Sequence, residues 1–325
     1  MFKLNTLQYS KCDDLEISNK YSVSALVSND LYDNLCLQYY KKYRFKNLKT
    51  FAFTKEGFLG LLLELKGKIA ISVGETQALI DGAKMYESLG FEIHWVHLNK
   101  DGTINLYDLQ DIDIDFLFLS SYIMDTFLKI DLDKIRKYTQ AKIISNATAR
   151  VDNKSYAIYF DNYKLNGFNT SGVILFEDSF KLLAIGQIDT IALKICFDSL
   201  TDEKVKKNDS KDLIIENLCK KFNEDIYFFV ENKNTLENTI HFGLKDIKAR
   251  ELIRTMALNK IFISNGEGCS LGLSKPSRII QEMGYEEKIS RTSLSLSFDN
   301  NFTKKEIDEF VNILYLKYKQ IKMLN

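Results

Sequence analysis

The chain has 325 residues, 45% hydrophobic and 12% aromatic, enough to bury a sizeable core in one large domain or two modest ones. Lys+Arg and Asp+Glu both number 44, so the net charge is near zero and gives no support for nucleic-acid binding. The start, Met1-Phe2-Lys3-Leu4-Asn5, lacks a basic stretch followed by an apolar one, and no apolar run reaches about 18 residues. A cytoplasmic protein with no signal peptide and no membrane partner is expected.

Residues 1–50 give no clear pattern of elements. From 54 to 176, helix and strand signals alternate. Residues 56–66 read as a helix and 69–73 as a short buried strand. Residues 75–89 read as a helix, with Leu79, Ala83 and Tyr86 near helical spacing and Gly90 as its stop. A strand at 92–98 leads into an Asp101-Gly102 turn and a short helix at 106–110. An apolar strand at 115–120, a helix at 131–138, and strands at 141–145, 157–160 and 172–176 follow. This alternation predicts an α/β domain with a mostly parallel sheet and helices on both faces.

Residues 202–210 are polar and charged and read as an exposed connection. Beyond them the order changes. A helix at 213–222 precedes strands at 226–231 and 239–244, a helix at 249–258 and a short strand at 261–263. A helix at 277–283, a strand at 293–298 and a last helix from Thr303 complete the chain. Thr303 and Glu306 form a capping box. The expected division is a large α/β domain over 1–200 and a small α+β domain over 201–325.

The five cysteines, Cys12, Cys36, Cys196, Cys219 and Cys269, are far apart and odd in number, so neither a disulfide framework nor a zinc pair is visible. Of the three histidines, His94 and His97 lie in a strand-like run with no ligand spacing around them, and no metal site is expected. The stretch Asn265-Gly266-Glu267-Gly268-Cys269-Ser270-Leu271-Gly272 is different. It places a thiol in a loop of small residues, where glycine allows φ > 0 and chain movement. Read alone, the plainer account is a free cysteine in a turn, because reactivity needs a lowered pKa.

Three C-terminal features give this loop a context. The Gly-Glu-Gly-Cys-Ser-Leu-Gly run is followed by Lys275-Pro276-Ser277 opening a helix that ends at Met283-Gly284. Arg291-Thr292-Ser293-Leu294 and the helix start around Phe302-Thr303 and Glu306-Ile307-Asp308 come next. This region resembles the class V aminotransferases, specifically the cysteine desulfurases, in which the matching cysteine forms a persulfide. Upstream, Tyr86–Glu92 leads into Asp101-Gly102-Thr103-Ile104, similar to the family's middle region, and Asp161–Gly167 matches the turn that carries its cofactor lysine. The resemblance runs from about Thr54 to the end. It implies a fold-type-I, PLP-dependent transferase-like large domain and a small C-terminal α+β domain. It also implies a homodimer and pyridoxal phosphate (PLP) held by Lys164 as a Schiff base. Cys269 would then take sulfur from a cysteine substrate. The lysine must lose a proton to attack the aldehyde.

Other matching positions depart from the family's pattern. Its phosphate-cradling Gly-Ala-Thr turn matches Glu56-Gly57-Phe58, and the Ser and His before its lysine match Asp161 and Tyr163. Acidic groups there would repel a phosphate that a helix N-terminus attracts. The aspartate that pairs with the ring nitrogen matches Asn146, whose neutral amide weakens the electron sink. The histidine stacked on the ring matches Thr76, the asparagine near the ring hydroxyl falls close to Met124, and the substrate-gripping arginine falls at Ser295. Two readings follow. The first is a divergent PLP-dependent enzyme with catalytic Lys164 and Cys269 and a cofactor site that includes Gly57, Thr76 and Asn146. The second is a non-catalytic paralogue that has lost PLP binding and serves as a scaffold or regulatory partner.

Overall fold

A computed structural model describes residues 2–6, 30–167, 170–177, 189–201, 210–267 and 275–324. Along the chain, β1 (Phe2–Lys3), α1 (Asp30–Tyr43), β2 (Asn47–Ala52), α2 (Lys55–Glu64), β3 (Ile69–Ser72) and α3 (Gln77–Ser88) come first. Then follow β4 (Ile93–Val96), β5 (Phe116–Phe118), α4 (Leu132–Ile135), β6 (Lys142–Asn146), β7 (Ala157–Asp161), α5 (Asn162–Asn166) and β8 (Ser171–Phe176). The C-terminal part holds α6 (Thr190–Thr201), α7 (Ser210–Phe222), β9 (Ile226–Tyr227), β10 (Thr239–Leu244), α8 (Ala249–Leu258) and β11 (Ile261–Phe262). It closes with α9 (Arg278–Glu282), α10 (Glu287–Ser290), β12 (Ser293–Ser297) and α11 (Lys304–Leu324).

The central sheet has seven strands in the order β2-β8-β7-β6-β5-β3-β4. Strands β3 to β7 pair in parallel, whereas β8 pairs antiparallel with both β7 and β2. Both faces are covered, so its strands are apolar on both sides. Ile69, Ile71, Phe116 and Phe118 face α2 and α3, while Ala70 and Leu117 face a second core with Phe127, Ile279 and Met283. Helices α1 and α6 cover Ile158, Phe160, Val173 and Leu175. This is the α/β architecture with a mostly parallel sheet that the alternating pattern predicts.

The C-terminal body is built on an antiparallel sheet, β12-β10-β9. Ile240, Phe242, Leu244, Leu294 and Leu296 bury one face of it against α7, α8 and α11. The first residues join this body as well. Strand β1 pairs in parallel with β11, and Leu4 is buried in the same core.

Several elements differ from the sequence expectation. The helix expected at 75–89 begins at Gln77, which leaves Glu75 and Thr76 in the turn after β3. The strand expected at 226–231 stops at Tyr227, because Phe229 and Val230 cross to the core of the large sheet. The helix expected at 131–138 is the short α4, with the Asp131 side chain accepting from the backbone N–H of Lys134. Ser210, expected in an exposed connection, is buried at the start of α7, where its hydroxyl accepts the Phe302 N–H at 2.8 Å. Residues 202–209 lie outside the described residues. Among the described residues no helix is long and apolar enough to cross a membrane.

Candidate active site

Strands β3, β5, β6 and β7 run in the same direction, so their C-terminal ends, Ser72, Phe118, Asn146 and Asp161, share one edge of the sheet. Open α/β sheets place ligands at this edge. The segments leaving it carry Glu75 and Thr76, Met124 and Asp125, Thr148, and Lys164.

Lys164 lies in α5, directly after β7. The Asp161 carboxylate caps that helix, accepting from the backbone N–H groups of Tyr163 at 3.0 Å and Lys164 at 3.3 Å. The Lys164 ammonium meets the Glu267 carboxylate with Nζ to Oε1 at 2.6 Å, and it donates to the Met124 Sδ at 3.6 Å. Both side chains of the pair are nearly buried, at 13% and 16% exposed. The other Glu267 oxygen, Oε2, accepts the N–H of Gln77, the first residue of α3, at 2.8 Å. The Glu267 N–H in turn donates to Asp125 Oδ1 at 2.8 Å, and the Ser277 hydroxyl donates to Asp125 Oδ2 at 2.8 Å. Gly266, just before, has φ of +101°, and a Cβ there would meet Asp125 Oδ1 at 2.1 Å. Only glycine fits this approach.

Buried carboxylates dominate the electrostatics. Burial pushes Glu75 up to about 7, although the Tyr159 hydroxyl donates to it at 2.8 Å and favours its charged form. Burial pushes Asp161 up to about 6, with the Lys164 charge pulling the other way. Asp125 is raised by burial and then by the Glu267 charge. For Lys164, burial alone would lower the pKa. The Glu267 charge, helped by Tyr122 and Asp161, more than offsets this and holds the amine as an ammonium well above its ordinary value. Arg278 supplies a further cation. Its guanidinium donates to the backbone oxygens of Val73 and Glu75 and to the Gln77 side chain, tying α9 to the turn between β3 and α3. A cavity of about 550 Å³ opens beside Glu267, lined by Gln77, Asp81, Asp125, Lys275, Arg278 and Arg291 among others.

The other sequence-predicted residues fall as follows. Thr76 is buried at the N-cap of α3, and its hydroxyl has no hydrogen-bond partner among the described residues. Asn146 is buried at the end of β6; its oxygen accepts the Thr148 N–H at 3.0 Å, while its Nδ2 has no partner among the described residues. Gly57 lies in the first turn of α2, where its N–H donates to the Thr54 hydroxyl at 3.4 Å and a Cβ would meet the Ala52 oxygen at 1.8 Å. Close packing of α2 on the end of β2 therefore requires glycine there. The two acidic groups expected to oppose a phosphate also make local bonds. Glu56 is fully exposed and bonds to Thr54, and Asp161 is spent capping α5. Ser295 is buried, with its hydroxyl donating to the Asp125 backbone oxygen at 3.1 Å. Cys269 lies outside the described residues.

Sequence reasoning missed Glu267, Glu75, Asp125 and Arg278. Glu267 stood inside the glycine-rich run, two residues before Cys269, but its meaning depends on a lysine 103 positions away. A carboxylate between two glycines was the available signal.

No protein-family model matches the chain. It is 21% identical over 291 residues to the cysteine desulfurase IscS of Buchnera aphidicola, spanning 77% of this chain and 70% of that protein. Among solved structures, the fold matches a NifS-like protein from Rickettsia africae with a TM-score of 0.75 at 16% identity, covering 98% of this chain and 99% of that one. A second NifS-like protein matches with a TM-score of 0.74 at 12% identity, covering 98% and 99%. The central sheet and these structural likenesses give the chain the fold-type-I transferase architecture, and its sequence is similar to that of the cysteine desulfurases.

Proposed function

We propose that this chain is a non-catalytic paralogue within the cysteine desulfurase-like family, which keeps the scaffold as a structural or regulatory partner and does not hold PLP on Lys164. One observation carries the reading: the amine that would have to attack the cofactor is locked as an ammonium against Glu267 at 2.6 Å. A Schiff base needs a free, neutral amine, and this pairing opposes the proton loss.

The surrounding residues do not fit the cofactor either. The position of the ring-nitrogen partner is the neutral Asn146, and the position of the stacking ring is Thr76. Three more carboxylates, Glu75, Asp125 and Asp161, are buried at the same sheet edge. A phosphate with nearly two negative charges would add to that repulsion. The reading keeps a large domain and a small C-terminal one, with residues 2–4 joining the small one rather than the large one expected over 1–200, and an assembly of two identical chains.

A second reading, a divergent PLP enzyme that passes sulfur from cysteine through Cys269, draws support from the position of Lys164 at the turn after β7. Titrating PLP into the purified full chain, with borohydride trapping and mass spectrometry, separates the two. The non-catalytic reading expects no visible Schiff-base band, no adduct on Lys164 and no alanine released from L-cysteine. Stoichiometric labelling of Lys164 would overturn it in favour of the enzyme. Light scattering checks the assembly, with the mass of two chains as the expected result.

A further inference from the structure

A tight turn that supplies neither member of the Lys164–Glu267 pair touches both. Residues 123–128 close on themselves, with the Ile123 N–H donating to the Leu128 oxygen at 2.8 Å and the Phe127 N–H to the Ile123 oxygen at 2.9 Å. Inside this loop the Thr126 N–H donates to the Met124 oxygen at 2.6 Å, and Asp125 between them has φ of +60°. That is the rare, strained form of a three-residue turn. Phe127 also has φ of +60°, an outlier for a bulky aromatic. Such backbone persists where its surroundings over-determine it. At Asp125 they do. One carboxylate oxygen accepts the Glu267 N–H at 2.8 Å, the other the Ser277 hydroxyl at 2.8 Å, and the backbone oxygen accepts the Ser295 hydroxyl at 3.1 Å. The stretches holding Glu267 and Ser277 share a second tie, from Asn265 Nδ2 to the Lys275 oxygen at 3.2 Å. Met124, one residue before Asp125, accepts from Lys164 Nζ at 3.6 Å, and its own N–H donates to the Gly74 oxygen at 3.2 Å.

Glu267 needs such a support. It stands between Gly266 and Gly268, and glycine loses the most backbone freedom on being fixed. The charges that act most strongly on the Lys164 ammonium are Glu267, Tyr122 and Asp161, so Asp125 reaches the lysine through where it puts Glu267. We propose that Asp125 is the positioning residue of this lock, holding the Glu267 backbone in the one place from which its carboxylate meets the Lys164 ammonium. The proposal deepens the non-catalytic reading and rests on it.

The test reads the protonation of Lys164 in the full chain. Short pulses of acetic anhydride between pH 7 and 11, followed by mass spectrometry, give its labelling rate relative to the exposed lysines. In wild type the rate should still be rising at pH 11, because Glu267 holds the proton. Asp125→Gly removes the support without strain, since glycine tolerates φ of +60°. Its Lys164 should level off within that range and label at least about tenfold faster than wild type at pH 9, because burial without the paired charge favours the neutral amine. Glu267→Gln should give the same profile. Asp125→Asn keeps an acceptor for the Glu267 N–H and a polar contact for Ser277, and should follow wild type. Should Asp125→Gly fail to fold, Ser277→Ala removes one of the two donors and should shift the profile the same way by less. A wild-type profile in folded Asp125→Gly, beside a shifted Glu267→Gln, overturns the proposal. So does faster labelling at every pH that still rises at pH 11, which would mean looser packing alone. An Asp125→Asn shift as large as that of Asp125→Gly overturns it too, because charge and not position would then be at work. A Lys164–PLP adduct in wild type, or an unshifted Glu267→Gln, removes the underlying reading and the proposal with it.

Discussion

The two sheets of this protein handle polar groups in opposite ways. In the C-terminal sheet, Ser293, Ser295 and Ser297 alternate with Leu294 and Leu296 along β12. The leucines enter an apolar core, and the small neutral hydroxyls find backbone oxygens, as Ser293 does at Ser290 and Ser295 at Asp125. At the edge of the seven-stranded sheet, the buried polar groups include the ionisable Glu75, Asp125 and Asp161 and the nearly buried Lys164–Glu267 pair. Apart from Asp161, which caps its own helix, their partners come from distant parts of the chain. Stability in the first sheet comes from area removed from water. The charged edge is instead held against a desolvation cost. That difference singles out the edge as the candidate functional region, because buried charge of little stabilising value is what functional sites tend to carry.

The largest effect should come from the apolar sheet. Phe242 is fully buried in β10. Phe242→Ala should cost about 3–5 kcal/mol through lost transfer energy and the cavity left behind. Urea titration at pH 7 measures this. A loss below about 1 kcal/mol would mean that the core relaxes around the gap, and the contrast with the charged edge would fail.

The charged edge should reveal itself through pH. Glu75 keeps its proton up to about 7 in the folded chain and releases it near 4.5 when unfolded. Between those values the folded state holds more protons than the unfolded one. Its contribution to stability is therefore complete below about pH 4.5 and is lost as pH rises through about 7. Asp161 adds a loss of the same sign between 3.8 and about 6. Glu75→Gln keeps an acceptor for the Tyr159 hydroxyl and cannot ionise. It should gain about 3 kcal/mol over wild type at pH 8 and nearly nothing at pH 4, since each pKa unit is worth about 1.4 kcal/mol. Parallel stability curves for the two proteins between pH 4 and 8 would show that Glu75 does not titrate as its burial implies.

The same contrast explains what the sequence made legible. Period-two alternation in 293–297, continuous apolar strands such as 69–72, and the helix at Ala249–Leu258 could be read because one local pattern decides each. Lys164 could be placed through the turn around it. Helices α1 and α6 and strand β2 escaped because their burial comes from packing on one another and on β7 and β8 rather than from a clean period. Glu267 escaped for a stronger reason. A lone glutamate among glycines reads as solvated, and nothing local shows that it meets an ammonium 103 positions earlier in the chain. Glu56 and Asp161 were read for their charge alone; each also has a local use, because a side chain next to a helix start bonds the groups there.

The ion pair itself gives the next effect. Lys164→Met removes the cation and leaves the Glu267 carboxylate nearly buried without its ion-pair partner. The cost should be about 2–3 kcal/mol, below that of breaking a wholly buried pair because both groups keep some exposure. Adding Glu267→Gln should restore most of the loss, since the desolvated charge goes with it. A double variant as unstable as Lys164→Met alone would show that the lysine acts through packing and not through charge.

The smallest effect tests whether a locally read feature behaves locally. Thr303 accepts the Glu306 N–H at 3.3 Å, and the Glu306 carboxylate accepts from the Thr303 N–H at 2.8 Å and its hydroxyl at 2.7 Å, completing the capping box that the sequence predicts for α11. These contacts are exposed and far in sequence from every group at the charged edge. Thr303→Ala should therefore cost about 1 kcal/mol, the usual value of a lost N-cap. Its loss should be independent of pH between 5 and 8, where none of its partners changes charge, and additive with that of Lys164→Met. Measuring both variants and their combination by urea titration decides it. Non-additivity would mean that the start of α11 and the lysine cleft are coupled through the C-terminal body, and the separation of a locally fixed sheet from a long-range site would have to be redrawn to include that helix.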